Sequence, residues 1–351
     1  MENTTVITKE TKNKIHVDYE GKLSFKERMM NKFKASNTWI RIGINIVRFL
    51  LMLGISYVIL YPFFARIASS FMTKEDLIDP TVALIPKNFT LDTYKYIIIE
   101  NGYFKALFTT AALSLMCALV QTFIACMIGY GLSKFKFKGN TAVLLAVVIT
   151  MVIPPKALEV AISRHFQFFD LGRALVWDYK GIIELIFGKT INMQNTFFPF
   201  LIISLCGLAF KNGLYIYMMR QFFKGVPDEL EESAYIDGSG TIRTFLTIIL
   251  PLSVPMMITV FLFAFSWQWT DDFYTGLFIL NNDEMLLMPD LIDKAPSSLI
   301  SKSDGHPGQS LYQSAIRNTT GIMIIAPLIV VYLFCQKYLV QGIERSGLTA
   351  D

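Results

Sequence analysis

Glu232, Ser233 and Ala234 are followed after three residues by Gly238, and after nine more by Ile248, Leu250 and Pro251. These residue types suit mechanical rather than covalent chemistry. Pro227 ahead of Asp228, Glu229, Glu231 and Glu232 reads as a helix opening, where acids favour the positive end of the helix dipole. Gly238 falls just past the last helical residue, where a left-handed backbone is easiest for glycine. Ser239 or Thr241 can cap a second helix through Ile242, Phe245 and Ile249, which Pro251 and Pro255 then bend. The product is a short helix, a sharp turn and a second helix continuous with a long apolar run, which together make a lever. On this reading Ala234 faces a docking surface with no room for a larger side chain. The plain alternative for the acidic stretch is a solvated helix with no partner.

Other constellations carry less. Gly188-Lys189-Thr190 has the ending of a phosphate-binding loop, but Ile183 stands where that loop needs its first glycine. His16, His165 and His306 have no second histidine at ligand spacing, so no metal or cofactor is expected. Cys117, Cys126, Cys206 and Cys335 all fall in apolar runs, form no C-x-x-C pair, and read as buried free thiols. No Ser/His/Asp grouping can be assembled. The apolar runs carry no buried acid or base of the kind that ion-coupled carriers commonly use. Ser266, Trp267, Gln268 and Trp269 are polar and aromatic enough to line a path for a polar solute, although aromatics near span ends are commonly interfacial anchors.

The elements that must position these residues are membrane spans. The chain is 53% apolar and 17% charged, with mean hydropathy +0.45, against about 25% charged in soluble domains. Uncharged stretches near the ~20 residues that cross a bilayer number six. They are 47–71, 106–132, 141–155 (running on towards Ile162), 191–210 (extending towards Met219), 244–270 and 318–336. The fold class is therefore an all-α polytopic membrane protein with six transmembrane helices. Residues 1–48 carry ten Lys or Arg against five acids, and Lys134, Lys136 and Lys138 make a short basic connection. Both belong inside, so the N-terminus, the loop 220–243 and the C-terminus face the cytoplasm. The expected division is an arm 1–46, a membrane domain 47–340 and a tail 341–351. The basic residues lie beside spans and not on a folded soluble domain, so nucleic acid is excluded as a partner. The outer loops include 163–195, with a short amphipathic helix near Gly181–Phe187, and 281–316. The latter lies in an acid-containing loop with Asp271, Asp272, Asp283, Glu284, Asp290 and Asp293, and holds a turn-rich stretch around Asp304, Gly305, His306 and Pro307.

The spacing from Glu232 to Pro251 resembles the E-A-A, three residues, G, nine residues, I-x-L-P signature of permease subunits of binding-protein-dependent ABC importers. Glu232, Ala234, Gly238, Ile248, Leu250 and Pro251 match it, with Ser233 in place of the first alanine. The likeness extends to the six-span subunit of the maltose-type carbohydrate-uptake permeases. It runs through Tyr61-Pro62-Phe63, Pro86 to Tyr94, Tyr130 to Gly139, Trp269 with Asp271, Asp272 and Phe273, and Gln336 to Gly342. Two stretches, 163–195 and 281–316, are longer than the family norm, and the tail from Ile343 lacks the usual ending. The resemblance implies a multi-pass subunit of a bacterial cell membrane that translocates an oligosaccharide or related carbohydrate and catalyses no covalent chemistry. It further implies two copies of an ABC ATPase docked on 220–243, a second homologous permease, an extracytoplasmic substrate-binding protein and surrounding lipid. The rival is a secondary carrier or channel without an ATPase.

Overall fold

The computed structural model describes residues 8–10, 16–18, 36–172, 180–280, 285–303, 305 and 308–345. Asp283, Glu284, Asp304, His306, Pro307, the tail beyond Arg345 and most of the basic arm lie outside the described residues. The chain divides into two units, Met1–Ala65 and Arg66–Asp351. The first holds an antiparallel pair, β1 (Thr8–Glu10) and β2 (His16–Asp18), with Lys9 opposite Val17, and most of helix α1 (Ser36–Ser69). From Ile40 to Ala65 the residues of α1 are almost all exposed, Phe49, Met52 and Val58 among them. A helix apolar on every side is built for lipid or for another apolar surface.

Apart from two isolated β-bridges, Met72 with Phe89 and Phe169 with Ile191, the regular elements among the described residues of the second unit are helices. It opens with α2 (Lys74–Ile78), α3 (Asp92–Glu100) and α4 (Tyr103–Lys134). Then come α5 (Asn140–Val152), a 3₁₀ turn (Pro155–Leu158), α6 (Glu159–Gln167) and α7 (Ile182–Phe187). The chain continues through α8 (Phe198–Leu205), α9 (Asn212–Lys224), α10 (Glu229–Ile236) and α11 (Thr241–Thr244). A π turn (Phe245–Ile249) leads into α12 (Leu250–Trp269), followed by α13 (Phe273–Phe278), α14 (Ser297–Ser303) and α15 (Gln309–Arg345).

Among the described residues four helical stretches are long and apolar enough to cross a membrane: Ile40–Ser69, Tyr103–Lys134, Thr241–Trp269 and Gln309–Leu339. A fifth is reached if the pair Asn140–Val152 and Pro155–Gln167, bent by 96°, counts as one. The bend has a local cause. A residue before proline is driven out of the helical region, and both Ile153 (ψ 119°) and Pro154 (ψ 128°) precede one. The run extended towards Ile162 therefore turns sharply instead of continuing. The run 191–210 is likewise not one helix. It begins helically only at Phe198 and breaks between α8 and α9, where Gly207 (φ +70°) and Lys211 (φ +64°) are left-handed.

The core of this unit lies where α4, α9, α12 and α15 meet, around Tyr130, Tyr215, Met219, Phe223, Met256, Val260, Trp269 and Ile324. Apolar side chains gain little from leaving lipid, so close backbone approach has to supply much of the packing. Two glycines provide it. A Cβ on Gly129 would stand 2.7 Å from Met219 Cβ and 2.9 Å from the Arg220 nitrogen. One on Gly213 would stand 2.6 Å from Thr150 Oγ1 and 2.9 Å from the Val147 carbonyl. The two glycines let α9 lie hard against both α4 and α5. A second cluster of Phe166, Phe169, Phe200, Tyr274, Phe278 and Leu287 joins α6, α8 and α13.

Candidate functional site

The hairpin that carries the patterned residues is built from α10, the turn at Gly238, α11 and the π turn. Helix α10 opens at Asp228 rather than at Pro227, and the Asp228 side chain does not cap it. That carboxylate instead accepts from Lys134 Nζ, which holds its pKa below the ordinary aspartate range. Lys134 Nζ also donates to the Val226 carbonyl at 2.6 Å and lies 3.8 Å from Glu231 Oε1. The side chains of Lys134 and Glu231 are only 7% and 11% exposed, and the Tyr130 hydroxyl donates to Glu231 Oε2 at 3.4 Å. The end of α4 is thereby tied to the start of α10. Glu232, the acid singled out by its spacing, is exposed, and so is Ser233. In the sequence Lys134 marks the cytoplasmic side and Glu231 is one of several acids at a helix opening, and nothing there pairs the two.

Helix α10 stops on a pair of bonds that define a left-handed helix terminator: Gly238 N–H donates to Tyr235 O at 3.0 Å, and Ser239 N–H to Ala234 O at 2.9 Å. Gly238 has φ +82°, with nothing within 4 Å of where a Cβ would stand. Glycine is required there by torsion and not by crowding. Ala234 is 6% exposed and turned inward, so the limit on its size is set within this chain and not by a docking partner. Neither Ser239 nor Thr241 caps α11. Gly240 occupies the cap position, and the Ser239 hydroxyl accepts from Thr244 Oγ1 at 3.1 Å.

The π turn runs from Phe245 to Ile249, and the Leu250 N–H donates five residues back to Phe245 O. Pro251 follows as a residue without an N–H whose ring crowds the preceding turn, and a widened turn accommodates it. Ile248 and Leu250 are half-buried, Ile249 is fully buried and Pro251 is exposed. The hairpin presents bare apolar groups to its surroundings, with Ile236 86% and Ile242 76% exposed beside Leu230, Tyr235 and Leu246.

A different arrangement surrounds the α8–α9 break. A cavity of about 610 Å³ lies between this break, the bend of α5 and α6, and Tyr274. Lys211 Nζ stands 5.0 Å from the Phe210 ring centre and 5.1 Å from that of Trp267, and the two rings are 5.2 Å apart. Asn212 lines the cavity, is fully buried, and has no hydrogen-bond partner on either side-chain atom. Ser266 and Trp267 are exposed, so Trp267 flanks the cavity through Lys211 and Phe210. Gln268 is half-buried with its Nε2 unpartnered. Trp269 is buried, and its indole N–H donates to Ile324 O at 2.9 Å, which places it in the packing between α12 and α15.

Below Tyr274, half-buried Asp271 accepts from the backbone N–H groups of Tyr274 and Thr275 at 3.3 and 3.0 Å. Burial raises its carboxyl to about 6, against the lowering effect of those bonds. Of the cysteines, Cys117 and Cys126 are buried, Cys335 is half-buried and Cys206 is exposed. Among the described residues no group of three or more His, Cys, Asp or Glu side chains is disposed to hold a metal.

Residues 121–345 match the family described as the binding-protein-dependent transport system inner membrane component. Over 302 residues the chain is 26% identical to the polygalacturonan/rhamnogalacturonan transport system permease protein YtcP of Bacillus subtilis, covering 84% of this chain and 93% of that one. It is 27% identical over 310 residues to the arabinooligosaccharides transport system permease protein AraQ of the same organism, covering 87% and 95%. Its fold resembles a chain in the crystal structure of a bacterial ABC transporter involved in the import of the acidic polysaccharide alginate. The TM-score is 0.64 at 18% identity, over 90% of this chain and 98% of that chain.

Proposed function

This chain belongs to the family of binding-protein-dependent transport system inner membrane components, and from that premise we propose that it carries an oligosaccharide across a bacterial cell membrane. It is a transport permease of a carbohydrate ABC importer and not a catalytic enzyme. The carbohydrate assignment is supported by relatives named for plant-polysaccharide fragments and arabino-oligosaccharides. Two copies of an ATPase supply the energy, a second homologous permease completes the pathway, and an extracytoplasmic binding protein delivers the sugar.

The observation that carries this reading is the hairpin. The amides at its turn close on α10 carbonyls and its Asp228 carboxylate on Lys134, while Ile236 and Ile242 are left bare. A segment rigid within and apolar without suits a cleft on another protein. Glu232, Ser233, Ala234, Gly238, Ile248, Leu250 and Pro251 form the coupling element. ATP-driven motion enters at α10 and leaves by two routes, through the π turn into α12 and through Lys134 into α4. Ser266, Trp267 and Gln268 border the sugar path, while Trp269 supports it from behind.

The six spans of this proposal are the four long helices, the bent pair over 140–167, and α8 and α9 in series. Both ends lie in the cytoplasm, with 1–46 as an arm, 47–340 as the membrane domain and 341–351 as a tail. The stretches 163–195 and 281–316 receive the binding protein. The second of these is braced from α3, since Glu100 accepts from Ser297 Oγ and from the Ser298 N–H, both at 3.1 Å.

Ile236→Asp tests the assignment without disturbing the chain's own packing, because Ile236 is almost wholly exposed. ATPase retention during purification and ATP-dependent oligosaccharide uptake should both be lost, with membrane insertion unchanged. Uptake that persists with no ATPase attached would replace the importer by the secondary carrier.

A further inference from the structure

The cavity at the α8–α9 break is basic, and the charge of its occupant follows from that. Its lining includes His165 and Lys211 and no Asp or Glu. Among the described residues no carboxylate pairs with Lys211, whose ammonium rests on the Phe210 and Trp267 rings with its outer side open. Lys211 immediately precedes the 13-residue helix α9, so the positive end of that helix adds to its charge. In the first turn the Asn212 and Tyr215 N–H groups bond to the Ala209 and Lys211 carbonyls, and among the described residues no such bond is made by the Gly213 or Leu214 N–H groups.

Independently of the helix end, Asn212 is fully buried at the cavity wall with donor and acceptor both unused. Such a group costs stability unless something satisfies it. A side-chain amide offers one donor and one acceptor face, the pairing that a vicinal sugar hydroxyl returns. The remaining wall is apolar and aromatic, through Met151, Ile162, Phe166 and Tyr274, and suits the C–H face of a pyranose ring. Its volume of about 610 Å³ falls within the range for small-molecule sites, about 300–1,000 Å³.

We propose that this cavity is a subsite for a carboxylated sugar, a uronate residue of the transported oligosaccharide. Lys211 and the α9 first turn hold the carboxylate, and Asn212 holds a ring hydroxyl. The inference rests on the oligosaccharide reading above and sharpens it from carbohydrate to acidic carbohydrate. A lone ammonium would serve a neutral sugar poorly, because a cation at this level of the membrane is costly unless it is used. Lys211 lies at the start of α9, about 20 Å along the helix axis from its other end, which the proposed topology puts at the cytoplasmic face.

Cys206 lines the same cavity and is exposed, so it reports on occupancy. The assembled importer, with Cys117, Cys126 and Cys335 replaced by serine or alanine, is placed in phosphatidylcholine vesicles and Cys206 is titrated with a small maleimide. Trigalacturonate should slow the labelling, while maltotriose should leave it unchanged at the same concentration. Lys211→Asn, which tolerates the left-handed backbone, should raise the half-protecting trigalacturonate concentration at least tenfold. Lys211→Arg should restore most of it, and Lys189→Asn should have no effect.

Equal protection by the two trisaccharides, or full protection in Lys211→Asn, overturns the acidic subsite. Slower labelling on adding phosphatidylglycerol without sugar also overturns it, in favour of a lipid headgroup. The oligosaccharide reading itself is judged separately, by whether any loaded binding protein stimulates ATP hydrolysis. A complex stimulated by maltotriose alone refutes the uronate subsite and keeps the importer.

Discussion

Two interruptions of helical backbone, one at Gly238 and one at Lys211, use the same left-handed torsion to opposite ends. At Gly238 the torsion costs little, and both terminal amides of α10 find carbonyls. At Lys211 a side chain is forced into the left-handed region, and the polar groups after it remain unused. A joint with every bond made transmits force, because nothing in it can rearrange cheaply. A joint with bonds left over is a place that something else completes. Backbone geometry alone does not separate the two; the tally of hydrogen bonds does.

The largest test breaks the closed joint. Lys134→Met removes the cation from beside Glu231, and a buried carboxylate that loses its partner costs about 3 kcal/mol. ATP-dependent uptake should be abolished, and the 224–241 segment should become open to protease in otherwise inserted protein. Adding Glu231→Gln should recover most of the protease resistance, since the uncompensated charge is then gone. Retained resistance in the single variant would remove α4 as a route for force.

A smaller effect is expected from the close approaches that hold α9 between these joints. Gly129→Val drives a side chain into Met219 and the Arg220 backbone, an overpacking of about 1–3 kcal/mol. A lower thermal midpoint in detergent checks it, and an unchanged midpoint would mean that α4 and α9 slide apart at no cost.

Exchanging the two left-handed residues in kind separates torsion from crowding. Gly238→Ala should cost about 1 kcal/mol although its surroundings are empty. Lys211→Gly, at the same torsion, should instead stabilise the fold by under about 1 kcal/mol. Thermal midpoints shifted in the same direction would mean that torsion does not distinguish the joints.

The smallest effect is one of pH. Asp271 titrates near 6 in the folded protein against 3.8 for the ordinary side chain, so the folded state binds the proton more tightly. Its contribution to stability is present below about pH 4 and is lost as pH rises through 6. Asp271→Asn should flatten the thermal midpoint over that window. Equal slopes in the two proteins would show that burial there is relieved by water.

Much of the hairpin was legible because its determinants are local. A glycine after an acidic helix, and prolines at the mouth of an apolar run, each dictate torsions within a few residues. The inward turn of Ala234 and the bond between Lys134 and Glu231 were not legible, since both depend on α4 returning to the same place. Long helices 103–134 and 241–269 were plain from hydropathy. The α8–α9 break was not, because Lys211 and Asn212 interrupt the apolar run only briefly and hydropathy does not register torsion. The sequence reads as a fourth span extending through Lys211 towards Met219, whereas the left-handed backbone at Lys211 divides it into two helices. The paired prolines at 154 and 155 did carry the 96° bend in plain sight. So did the small residues Ala125 and Gly129, four apart on the face that meets α9.

The π turn between Phe245 and Ile249 has a consequence for how the gene can vary. One surplus residue in a helix advances everything beyond it by about 100° of azimuth. The compass bearing of Ile236 and Ile242 relative to the faces of α12 is therefore set by residue count across a five-residue window, not by which residues fill it. Substitutions there leave the bearing intact. A single-codon deletion would swing the hairpin by more than a quarter of a circle, so outside buried Ile249 and the coupling residue Ile248 this stretch should be stricter in length than in spelling.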